Sequence, residues 1–175
     1  MRYKERDEKK RSLFLEQIRQ YPIEALVFVD ESGIDSYLYS PYGWSKRGEK
    51  VFGEISGKRF ARDSFVAAKC KSKILAPLCF QGTCNTKLFD LWIEQFLVPE
   101  LSPGQVVILD NASFHKSERT RVLIEQAGCQ LLFLPPYSPD LNPIEKFWAW
   151  FKKKVRSVVE HFQTLGEAID YVFNM

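Results

Sequence analysis

With 175 residues, 45% of them hydrophobic and 14% aromatic, the chain has the profile of one globular domain with a sizeable core, not that of a disordered tail. Its net charge of +3 does not by itself announce a nucleic-acid binder, so where the basic residues cluster matters more than their total. The start, MRYKERDEKK, is charged in both signs and has no apolar signal core, and no later stretch approaches the roughly 18 apolar residues that span a bilayer; a cytoplasmic protein with no membrane partner is expected.

Residues 3–20 predict a charged helix with Leu13, Phe14, Leu15 and Ile18 as its apolar side, ended near Tyr21 and Pro22. We divide the chain accordingly into an N-terminal linker helix, 1–22, and a main domain, 23–175. Residues 25–30, the run ALVFVD, predict the first strand, and the Gly-, Ser-, Tyr- and Pro-rich stretch 32–57 an extended excursion. Strand-like runs at 61–69 and 73–80, joined by the basic turn CKSK, predict a hairpin. From Thr86, the residues Leu88, Phe89, Trp92, Ile93, Phe96 and Leu97 recur at helical spacing, and Pro103 with Gly104 marks the turn into a strand at 105–110. A helix at 117–127 stops at Gly128, in the place of a C′ glycine, before the strand QLLFL at 130–134. In the helix from Pro143, the residues Ile144, Phe147, Trp148, Phe151 and Val155 form a core-facing stripe, and Thr164 with Glu167 opens a last short helix at capping-box spacing. Cys70, Cys79, Cys84 and Cys129 show neither CxxC spacing nor a nearby histidine pair, which argues against a zinc site and for buried reduced thiols.

Three carboxylates stand out: Asp30 ending ALVFVD, Asp110 ending VVILD, and Glu145 opening a helix after LFLPPYSPDLNPIE. Asp30 and Asp110 sit where apolar runs give way to the polar residues ESG and NAS, which places both at the C-terminal ends of strands, where open α/β sheets bind their ligands. Either aspartate alone reads as a turn former. Glu145 has two local readings: three residues after Asn142 it has the spacing of a capping box, and near a helix N-terminus its charge is favoured whatever it binds. The preceding segment carries three proline dipeptides in PPYSPDLNP, a rigid connection that holds Glu145 in one place.

VFVDESG, ILDNASFH and PPYSPDLNPIE resemble the three motifs of DDE transposases of the mariner-like superfamily, particularly its bacterial insertion-sequence branch; PPYSPDLNPIE is the most specific of the three and DESG the least. The 34 residues between Asp110 and Glu145 (111–144) are typical of that group. The resemblance covers nearly the whole chain, from about 23 to 159, and implies a ribonuclease-H-like α/β fold: a mixed five-stranded sheet flanked by helices. The predicted order β, β, β, α, β, α, β, α is the one that fold requires. It also implies Asp30, Asp110 and Glu145 as catalytic metal ligands for two Mg²⁺ or Mn²⁺ ions, about 3.5–4 Å apart in two-metal phosphoryl transfer.

On the same resemblance the site cleaves DNA at element ends and then uses a freed 3′ hydroxyl to attack target DNA, commonly at a TA step, with protomers paired on DNA as a homodimer in the nucleoid. Relatives carry helix-turn-helix modules ahead of the catalytic domain; only residues 1–22 precede it here, so a separately encoded recognition module is expected. Two other readings use the same residues. A host nuclease keeps the fold and metals, and PPYSPDLNPIE argues against it. A non-catalytic DNA-binding regulator needs no metal, and the intact trio argues against that.

Among the remaining candidates, Asn111 and Asn142 flank two of the acids and can orient a ligand carboxylate, although turn and cap duties explain both. His115 lacks the partners of a hydrolase triad and is read as bonding the Asp110 loop or touching DNA; His161 reads as a surface residue. Lys152, Lys153, Lys154 and Arg156 are read equally as a solvated helix end and as contacts to the DNA backbone. Further basic clusters lie at 46–47, 58–62 and 69–73. Glu31 is expected to point away from Asp30, and Asp140 is the competing candidate for the third acid.

Overall fold

The structure, a computed structural model, describes residues 6–35, 45–50, 52 and 62–175. Helix α1, Glu8–Ile18, starts at Asp7, whose carboxylate accepts the amides of Lys9 and Lys10. Its apolar side is narrower than the periodicity suggests, because Phe14 is buried while Leu13 faces solvent. Phe14 packs with Leu26, Phe28, Val106, Ile108 and Leu134, so α1 is seated on the sheet.

Strand β1 is Leu26–Asp35, extending five residues past the end of the run ALVFVD. ESG is therefore not a turn: Ser32, Gly33, Ile34 and Asp35 continue the antiparallel ladder with β2, Arg62–Cys70. The ladder supplies backbone partners for polar residues that the sequence pattern assigns to a loop. The hairpin forms as expected, β2 turning through Lys71 and Ser72 into β3, Lys73–Gln81, with Lys71 in the left-handed region at φ 54°. Within β3, Ala76 and Pro77 oppose the single residue Ala67, a bulge on an edge strand where a proline removes no needed donor. Ala76, at φ 49°, gives its amide to Glu100 (2.8 Å), and its carbonyl accepts the Trp92 indole N–H (2.7 Å).

Helix α2, Thr86–Trp92, is capped by Asn85 and runs on through a π-helical turn, Ile93–Leu97, into a 3₁₀ turn containing Pro99. Strand β4, Val106–Leu109, follows. Helix α3, Glu118–Gln126, starts on Ser117, whose hydroxyl accepts the Thr120 amide. It ends in a Schellman motif, Gly128 N–H to Glu125 and Cys129 N–H to Ile124, with Gly128 at φ 73°. Strand β5 is Gln130–Phe133, helix α4 is Ile144–Val158, and helix α5 is Leu165–Phe173, capped by Thr164.

The sheet order is β3-β2-β1-β4-β5. β2 pairs antiparallel with both β1 and β3, and β1, β4 and β5 run parallel. One face packs Val27, Val29, Val66, Val107 and Leu109 against Phe89, Trp92 and Ile124 of α2 and α3. The other packs Ile34, Phe65 and Ala67 against Ile144, Trp148, Phe151 and Val155 of α4 and Ile169 of α5. Each of the larger buried side chains contributes about 1.5–3 kcal/mol, so the predicted α4 stripe is a principal holder of the fold. Of the four thiols only Cys129 is buried and the other three are half-buried; all are free. Among the described residues no helix is long and apolar enough to cross a membrane.

Candidate functional site

The parallel ladder between β1 and β4 ends at the pair Phe28 and Ile108, two residues short of Asp30 and Asp110. Asp30 therefore lies mid-strand but just past the parallel pairing, where β1 is bonded on one side only, and Asp110 directly follows β4. This corrects the strand-end placement of Asp30 while keeping both aspartates at the C-terminal edge of the parallel strands. Glu145 enters from the first turn of α4. Asp30, Asp110 and Glu145 line one cleft of about 360 Å³, whose wall is the segment Leu134, Pro135, Pro136, Tyr137, Ser138 and Pro139 with Asn142.

No capping box holds Glu145. Asn142 Oδ1 accepts the Ile144 amide (3.4 Å), one residue short of that arrangement, and the Asn142 amide is already given to the Pro139 carbonyl. The Glu145 side chain is exposed at the cleft. Asp140 is turned elsewhere: its two oxygens accept the guanidinium of Arg11 at 2.9 and 2.7 Å, which ties α1 to the proline segment. Asn111 gives its side-chain amide to the Leu134 carbonyl and joins the end of β4 to the start of that segment.

Each aspartate is held by a side chain that touches it from behind. The Trp148 indole donates to Asp30 Oδ2 (3.1 Å), a second duty for a residue that the sequence marks as core. The Ala112 amide donates to Asp110 Oδ1 (2.8 Å), and the same oxygen lies 2.6 Å from His115 Nδ1. His115 is wholly buried, so it does not reach DNA; its Nε2 lies 2.7 Å from Glu31. Glu31 does point away from Asp30, as strand alternation requires, and meets His115 on the far face. Nothing in the sequence pairs Glu31 with a histidine 84 residues away.

The acids shape one another's charge. Burial, then Glu145, Glu31 and Asp110, push the Asp30 carboxyl up to about 8. Burial also raises Asp110, but the bonds from His115 and Ala112 and the charges of His115 and Lys116 outweigh it, and its carboxyl lies below the usual range. Among the described residues no three His, Cys, Asp or Glu side chains stand close enough together to form a metal site as they are placed. The donor set of Asp30, Asp110 and Glu145 is nevertheless carboxylate oxygen, which suits hard divalent ions.

Lys152 and Arg156 share a helical stripe with Glu145, at seven and eleven residues beyond it. Burial and the nearby Arg62 pull the half-buried Lys152 ammonium below its ordinary range, Arg156 adds to this, and Glu145 and Asp30 oppose it. Arg62 is a neighbour that the sequence showed only as part of a basic cluster, whose other members, 58–61, lie outside the described residues. Lys153 is exposed and Lys154 half-exposed, both off the Glu145 stripe. The cluster at 69–73 surrounds the β2–β3 turn beside the start of β1, at the opposite end of the sheet from the acids. Lys46, Arg47 and His161 are exposed.

Residues 25–167 match a family described as DDE superfamily endonuclease. A 47-residue stretch is 40% identical to the uncharacterized protein y4pE/y4sA of Sinorhizobium fredii, covering 27% of this chain and 33% of that protein. Among solved structures the fold is shared with the mariner Mos1 paired end complex with Mg, at TM-score 0.69 and 13% identity over 99% of this chain and 62% of that one. It is shared too with the Mos1 strand transfer complex, at 0.68 and 16% over 95% of this chain and 51% of that one. The Mos1 transposase catalytic domain with Raltegravir and Mg gives 0.61 and 14% over 95% of this chain and 78% of that one. The chain spans about half the length of the Mos1 strand-transfer chain, and at these identities the likeness establishes the ribonuclease-H-like fold. Matched over most of its length, the chain belongs to the DDE superfamily of endonucleases.

Proposed function

We propose that this chain is the catalytic domain of an insertion-sequence transposase of the mariner-like superfamily, a metal-dependent polynucleotidyl transferase. The carrying observation is that three acids from three separate elements line one cleft at the C-terminal edge of the parallel strands. Asp30, Asp110 and Glu145 are its metal ligands. Two Mg²⁺ or Mn²⁺ ions bound there supply activation of the attacking oxygen and neutralisation of charge on the leaving 3′ oxygen.

The chain's own residues do the rest. Trp148 and His115 each hold one oxygen of an aspartate that lines the cleft. Asn111 holds the proline wall against β4, and Asn142 holds the start of α4. Lys152 and Arg156, on the Glu145 stripe, neutralise backbone phosphates of a strand lying along α4, with Lys153 and Lys154 at its margin. The substrate is DNA, namely element ends and a target that is commonly TA, in the nucleoid. Two protomers pair on it, and a separate recognition module supplies end specificity. The Mos1 complexes, one described as strand transfer and one as paired end with Mg, support this reading.

Purified protein is expected to nick DNA in Mg²⁺ or Mn²⁺, and Glu145→Gln to abolish nicking with its circular dichroism spectrum unchanged, because that side chain is exposed. Metal-independent nicking, or full activity in the variant, overturns the assignment.

A further inference from the structure

The buried contact Glu31–His115–Asp110 is more than the anchoring of a loop requires. Asp30 and Glu31 are consecutive on β1 and face opposite sides of the sheet. Asp30 meets Trp148 on the α4 side, while Glu31 crosses the other face to His115. The imidazole is wholly buried between Phe89 and Phe114, both ring centroids 4.3 Å away, which fixes its plane. Its second nitrogen reaches Asp110 Oδ1, the oxygen that also accepts the Ala112 amide. Among the described residues no hydrogen bond is made to Asp110 Oδ2, the oxygen left for the cleft.

We propose that Glu31 is a positioning residue for Asp110, acting through His115 to aim one oxygen of that carboxylate at the metal site. This rests on the metal-ligand reading above. Glu31 can accept a hydrogen bond but cannot donate one in its ionised form, so it requires a proton on His115 Nε2; Asp110 requires one on Nδ1. Glu31 therefore selects the ring state that donates to both acids. Because Glu31 and Asp30 are adjacent on one rigid strand, the chain through His115 also sets Asp110 relative to Asp30. Ligand-orienting contacts of this kind are worth about 10–100-fold in metal affinity.

The test is Mn²⁺ binding to the 175-residue chain, read by electron paramagnetic resonance of free Mn²⁺, with thermal melting in parallel. Glu31→Ala is expected to weaken Mn²⁺ binding about 10-fold or more. Glu31→Gln should recover much of the loss, since its amide can donate to Nε2 and leave the Nδ1 proton toward Asp110. In an Asp110→Asn background, Glu31→Ala should add little further loss. A Glu31→Ala variant that melts lower yet binds Mn²⁺ as wild type does, or whose penalty persists undiminished in the Asp110→Asn background, overturns the proposal. Should Glu31→Ala fail to fold, nitrogen NMR of the wild-type His115 ring decides: a saturable shift of the Nδ1 resonance on adding Mg²⁺ is the expected result, and an unresponsive ring overturns the proposal. Absence of Mn²⁺ binding in the wild-type chain overturns the metal reading itself.

Discussion

Trp148 donates its indole N–H to Oδ2 of Asp30, joining α4 to β1 across 118 residues of sequence. One side chain thus packs the core with Phe65 and Phe151 and orients an acid of the cleft. Trp148→Phe keeps most of the packing and removes the donor. It is expected to cost about 2 kcal/mol in denaturant unfolding, from the lost bond and a small void. Mn²⁺ affinity should fall by roughly 10-fold. Unchanged affinity would show that the indole only packs.

Crowding of the acids makes the metal-free protein sensitive to pH. The Asp30 carboxyl, raised to about 8 by burial first and then by Glu145, Glu31 and Asp110, holds its proton more tightly in the folded than in the unfolded chain. The stability this contributes is fully present below the unfolded value near about 4 and is lost as pH rises through about 8. Asp30→Asn has nothing to ionise there. Without divalent ions the variant should melt above wild type at about pH 9, with the gap closing toward about pH 4. Adding Mg²⁺ should raise wild type and narrow the gap. Equal melting curves across that range would contradict the prediction.

The basic end of α4 yields a prediction in salt. Lys152→Gln and Arg156→Gln, on the stripe that begins at Glu145, should each lower the slope of log affinity for DNA against log salt by about one. Lys153→Gln, off that stripe, should lower it less. Fluorescence anisotropy over a salt series measures all three, and equal effects from every lysine would point to a diffuse positive surface.

Asp140 separates metal ligation from scaffolding. Its carboxylate is occupied by Arg11, whose side chain is 11% exposed against 57% for Asp140. Asp140→Asn should leave Mn²⁺ affinity unchanged and cost at most about 1 kcal/mol of stability, as expected of a pair with one partner in solvent. Loss of Mn²⁺ binding in this variant would return Asp140 to the ligand set and displace Glu145.

Where local pattern and tertiary demand coincide, the sequence was readable. The hairpin at CKSK, the Gly128 stop and the α4 stripe are short-range signals, and each formed as expected. Asp30 and Asp110 stood out at changes from apolar to polar residues and Glu145 through the proline segment before its helix, and all three line one cleft. What escaped the reading depends on partners distant in sequence. β1 continues through ESG because β2 pairs with it, and the bulge at Ala76 and Pro77 exists because Glu100 and Trp92 take up the backbone groups. The bond from Glu31 to His115 spans 84 residues, and alternation along the strand indicated only which face Glu31 occupies.

The proline segment that walls the cleft has an effect on the unfolded chain as well as on the folded one. Pro135, Pro136, Pro139 and Pro143 restrict the conformations open to residues 134–143 before folding, which lowers the entropy lost in fixing them. Tyr137, held among them at φ 54°, adopts a backbone conformation that non-glycine residues rarely take. The flanking prolines and the Arg11 clamp on Asp140 restrict the same segment. The wall of the cleft is therefore preorganised, and a bound strand need not spend its interaction energy on ordering it.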